Sequence, residues 1–144
     1  MLTQFELDAQ RHELNYELQC RQQMALRQYS EEKDKIYRER NGVKADYRAT
    51  KRLLEQSLDN VKKERLELKA RGLECYAPEM QDSYQKEREL MRDLADAKEN
   101  FNDALDKFCE RARYQWLAYT ELCMLNKKWY AEQLRQMLTE AEAA

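Results

Sequence analysis

The strongest helix breakers, glycine and proline, occur only three times in this 144-residue chain, and two of them, Gly72 and Pro78, fall together near its midpoint. Glycine reaches left-handed backbone angles at no steric cost, and proline cannot continue a helix interior. A chain almost free of both except at its centre is therefore read as all-α: two long antiparallel helices forming a hairpin. Arm one covers 3–71, the turn lies around residues 72–79, and arm two covers 80–141, within a single domain of residues 1–144. Thr3 or Asp8 is placed to cap the first helix. Gly42 sits inside arm one, where glycine costs about 1 kcal/mol relative to alanine, so a kink or break is expected near Gly42.

The apolar residues keep different periods in the two arms. Leu14, Ala25, Ile36, Tyr47 and Leu58 are spaced by eleven, and Leu7, Leu18 and Tyr29 repeat that spacing seven residues earlier. Eleven residues fill three helical turns almost without drift, which favours a nearly straight helix. In arm two, Leu94, Phe101, Phe108, Leu122 and Trp129 fall on a heptad, with Met91, Leu105, Ala112 and Tyr119 at companion positions. The two arms do not share one repeat, so an ideal closed coiled coil is not expected. Each helix buries one stripe, which leaves apolar surface for partners.

Charge excludes some function classes. Lys and Arg number 26 against 28 Asp and Glu, and the signs alternate, so no field favours nucleic acid or an anionic membrane. No apolar run approaches the roughly 20 residues that cross a bilayer, and acidic residues in the first turns are unlike a removable address peptide. No phosphate loop, Ser-His-Asp set or Cys/His pair at metal spacing is found. The single histidine, His12, reads as a solvated helix residue. Catalytic, cofactor-binding and metal-binding residues are accordingly expected to be none, and no small-molecule substrate is expected.

Two features remain. The cysteines Cys20, Cys75, Cys109 and Cys123 admit two readings: Cys20, Cys109 and Cys123 as small buried apolar residues in the helical stripes, or all four as disulfides stapling the hairpin in an oxidising compartment. The block from Arg113 to Tyr130 is dense in Trp, Tyr and basic residues, which interfaces enrich. Arg113, Tyr114, Trp116, Tyr119, Lys127, Lys128, Trp129 and Tyr130 are the expected partner interface, because these rings cover more than one helix face.

The run Tyr37-Arg-Glu-Arg-Asn-Gly-Val-Lys44-Ala-Asp46-Tyr47-Arg48, followed by Leu53-Leu54, resembles the central helix of the PDSW accessory subunits of mitochondrial complex I. Cys75, Ser83-Tyr84-Gln85, and the ending Leu134-Arg-Gln-Met-Leu138 through Ala143-Ala144 are similar to that family's later segments. Gln28 and Lys35 stand where that family carries a cysteine pair, and the PDSW tetrapeptide is absent, so a divergent relative is implied. The resemblance implies a non-catalytic accessory subunit of the respiratory chain. It would be peripheral to the mitochondrial inner membrane on its intermembrane-space side, bracing membrane subunits and supporting assembly.

A hairpin of this size also resembles the FliJ/YscO stalk proteins of type III secretion, whose second helix ends in a pattern similar to Lys128, Tyr130, Glu132 and Arg135. That likeness implies a bacterial cytoplasmic stalk acting on a hexameric ATPase. A structural coiled coil of another large assembly is the third reading.

Overall fold

The computed structural model describes residues 2–143 as two helices, α1 (Gln4–Ala70) and α2 (Pro78–Ala143), packed antiparallel as a hairpin. α1 begins with a capping box: the Thr3 hydroxyl accepts the Glu6 amide at 3.2 Å, while the Glu6 carboxylate accepts the Thr3 amide at 3.2 Å. The acid at the third helical position and the hydroxyl at the cap thus satisfy each other's neighbouring donors. Thr3, rather than Asp8, is the cap.

α1 ends where the sequence demands it. Gly72 takes φ +85°, its amide bonds to the Lys69 carbonyl at 3.0 Å, and the Leu73 amide reaches back to the Leu68 carbonyl at 3.3 Å. These are the two bonds of a Schellman motif, which needs a left-handed residue at the position of Gly72. Pro78 then opens α2 as its first residue, where its missing amide hydrogen leaves no helical bond unmade. The second helix therefore starts at 78 rather than 80. Gln81 steadies the turn by donating its side-chain amide to the Cys75 carbonyl at 2.7 Å.

The helix continues through Asn41-Gly42 without interruption, so of the kink or break expected there, the break does not occur. One exposed glycine costs far less than the paired helical bonds on either side maintain.

The contacts form two compact units: Arg38–Cys109, which includes the turn, and Met1–Tyr37 with Glu110–Ala144. In the unit containing the turn, Val61 and Met80 are buried, Met80 completely. Tyr47 stacks flat on Phe101, with ring centroids 4.2 Å apart and planes 4° apart. Arg65 pairs with Glu87 and lies 4.5 Å above the Tyr84 ring, so a mostly covered cation is matched by both a carboxylate and a π-face. In the unit holding the two chain ends, Ala25 and Ile36 are buried.

The eleven-residue stripe of α1 lies inward along its length: Leu14, Ala25, Ile36, Tyr47 and Leu58 are all shielded. The α2 heptad is only partly correct. Leu94, Phe101, Leu105, Phe108, Tyr119 and Trp129 are shielded, but Met91, Ala112 and Leu122 are exposed. In their neighbourhoods the seam is made by Leu90, Gln115 and Asn126 instead, and the two amides are invisible to a search for apolar residues alone. Among the described residues, no helix is long and apolar enough to cross a membrane.

Candidate functional site

The aromatic block of α2 divides between the seam and the surface. Tyr119 is drawn inward, stacked on Tyr29 with centroids 4.9 Å apart and planes 23° apart. Trp116 touches the same Tyr29 ring edge-on at 5.7 Å yet remains 50% exposed. Trp129 and Tyr130 are half-buried, and the Arg21 guanidinium covers the Trp129 ring at 3.8 Å. Arg113, Tyr114, Lys127 and Lys128 are exposed. Of the eight residues expected to form one surface, Tyr119, Trp129 and Tyr130 are shielded, Trp116 meets Tyr29 while staying half exposed, and Arg113, Tyr114, Lys127 and Lys128 face solvent.

Between the rings the seam is polar. Asn126 is buried and donates its side-chain amide to the Gln22 carbonyl oxygen at 3.3 Å, while Gln22 donates to the Cys123 backbone carbonyl at 3.4 Å. A part-buried amide pair adds little net stability but penalises every register that would leave the buried Asn126 unmatched. Tyr119 joins this cluster through a hydrogen bond with the Cys123 side chain. That bond comes first among the causes that hold its phenol above the usual value of 10.0, followed by shielding from water. Beside the stacked rings, the small side chains of Ala25 and Ala118 leave an open groove of about 370 Å³, edged by Glu31, Glu32 and Gln115.

The register set by these contacts bears on the cysteines, all four of which carry free thiols. Tyr29 against Tyr119 and Gln22 against Asn126 place Cys20 level with Lys128, five residues from Cys123. Five residues are about 7.5 Å of helix, beyond the usual span of a disulfide once the distance between helices is added. Cys75 lies in the turn, and Cys109 lies about 46 Å further along α2 from Pro78 at the helical rise per residue. The structure brings neither Cys20 to Cys123 nor Cys75 to Cys109. Cys75 and Cys109 are exposed, so the alternative of a small buried residue fails for Cys109 as well. Among the described residues, no three His, Cys, Asp or Glu side chains gather where they could hold a metal.

Periodicity could have located a surface that the aromatic count missed. On the side of α2 turned away from Asn126, Leu117, Met124, Ala131 and Leu138 recur every seven residues, and all are exposed. No sequence-family model, curated protein or solved structure matches this chain.

Proposed function

We propose that this chain is a non-catalytic structural subunit of a larger protein assembly, a helical strut whose exposed apolar side chains are covered by partner proteins. The supporting observation is an imbalance between seam and surface. Among the described residues, Ala25, Ile36, Val61 and Met80 are the buried apolar side chains, while Phe5, Tyr16, Tyr76, Tyr114 and Trp116 are at least half exposed. Exposed apolar area at this density is characteristic of binding surfaces, and Tyr, Trp and Met are the residues that interfaces enrich.

The unbroken two-helix hairpin supports a stalk of the FliJ/YscO kind, engaging a hexameric secretion ATPase in the bacterial cytoplasm. The runs at Tyr37–Leu54 and Ser83–Gln85 support the other host, mitochondrial complex I. There the chain would lie peripherally on the intermembrane-space side, held through membrane subunits and bracing them. In both hosts the chain works by contact, with other protein subunits as its partners.

Affinity purification of the tagged chain from its own cells under mild detergent separates these hosts: a secretion ATPase or an inner-membrane respiratory complex accompanies it. Trp116→Ala tests the surface. Truncating a Trp at the centre of an interface typically costs about 2 kcal/mol or more, roughly a thirtyfold loss of affinity, and should leave helicity intact because the ring is half exposed. Equal incorporation of variant and wild type removes Trp116 from the contact; recovery of the chain without partners overturns the assembly reading.

A further inference from the structure

The outer stripe of α2 has a charge pattern that indicates what covers it. Leu117, Met124, Ala131 and Leu138 occupy one heptad position, and Tyr114, Glu121, Lys128 and Arg135 occupy the position three residues before each of them. Together these form a complete second heptad seam on a helix whose first seam already faces α1. All eight are exposed, with Tyr114, Leu117, Met124 and Leu138 between 44% and 69%. We propose that this face is the interface between two copies of the chain, α2 against α2 in antiparallel orientation about a two-fold axis.

The argument rests on the order of the charges. A parallel pairing sets Glu121 beside Glu121, Lys128 beside Lys128 and Arg135 beside Arg135, three layers of like charge, which is destabilising. The antiparallel pairing that places Glu121 opposite Ala131 of the second copy does the reverse. Three and four residues from Ala131 stand Lys128 and Arg135, displaced by about 4.5 and 6 Å along the axis, so each Glu121 carboxylate sits between two cations of the other copy. Ala131 is the smallest residue of the stripe and leaves room for that carboxylate. In the same register Lys128 lies level with Met124 and Arg135 level with Leu117, where their aliphatic stems cover apolar side chains while the charged ends reach Glu121. Tyr114 lies level with Leu138 and within reach of Arg135. The two-fold axis repeats every contact, as an isologous interface requires.

This goes beyond the role of assembly subunit and is tested independently of any host. Sedimentation equilibrium of the purified full chain in reducing buffer, which keeps Cys75 and Cys109 from cross-linking, should give twice the 17.5 kDa chain mass at micromolar concentration. Glu121→Lys places six cations on the paired stripes with no carboxylate between them and should weaken the dimer at least tenfold. Adding Lys128→Glu and Arg135→Glu to that variant inverts every charge and should restore it. Circular dichroism is expected to be alike for all three proteins, since the altered residues are exposed. A wild-type chain that stays monomeric, a dimer indifferent to Glu121→Lys, or a triple variant that remains monomeric overturns the proposal. A monomer whose stripe becomes protected only inside its host overturns it too, and assigns the face to a foreign helix.

Discussion

The two glycines of the turn-containing unit should respond to the same substitution with opposite signs. A β-carbon added at Gly42 or at Gly72 meets no atom within 4 Å, so steric collision drops out and the backbone alone decides. Gly42 is helical and exposed. Gly42→Ala should stabilise the hairpin by about 1 kcal/mol, the difference in helix propensity. Gly72 holds φ +85°, where a residue with a β-carbon costs about 1–2 kcal/mol, offset by about 0.4–1 kcal/mol because alanine restricts the unfolded chain. Gly72→Ala should therefore destabilise by about 1 kcal/mol, leaving the two variants about 2 kcal/mol apart. For a chain of this length that separation corresponds to about 8 °C between the melting midpoints. Thermal and urea unfolding followed by far-ultraviolet circular dichroism would measure both, and the double variant should equal the sum within about 0.5 kcal/mol because the sites share no neighbours. A loss of stability in Gly42→Ala would refute the reading of an unbroken helix at that point, and a gain in Gly72→Ala would refute the Schellman turn.

Three further outcomes follow from the packing. Met80→Ala removes a completely buried side chain and should cost about 2–5 kcal/mol in urea unfolding; a cost under 1 kcal/mol would mean that the turn region collapses around the deletion. A double-mutant cycle on Tyr47→Ala and Phe101→Ala should return a coupling of about 0.5–1.5 kcal/mol from their stacked rings, and strict additivity would contradict the contact. Cys123→Ala should bring the raised Tyr119 phenol back toward 10.0, as read by tyrosinate absorbance during alkaline titration. The sign follows from the raised folded value: the stability linked to the neutral phenol is complete below pH 10 and is lost as pH climbs through the folded pKa. An unshifted titration would exclude Cys123 as the main cause.

Local chemistry was enough to specify the elements of this fold. Gly72 and Pro78 mark the turn because only certain residues fit a left-handed cap or the first turn of a helix; Thr3 and Asp8 both offered a start, and Thr3 takes it because its hydroxyl and the Glu6 carboxylate three residues on close a capping box. The eleven-residue spacing from Leu14 to Leu58 named the inward face of α1, since that period nearly matches the helix itself. Which face of α2 meets it was not local information. Asn126 lies buried in the seam because Gln22 satisfies its side chain, and that partner lies 104 residues away in sequence. The aromatic residues divided in the same way: Tyr119, Trp129 and Tyr130 face inward and Tyr114 faces water, although each is an aromatic on the same helix. Composition identifies such side chains as costly to leave in water, but only the register between the helices decides which of them the hairpin shields and which it leaves exposed.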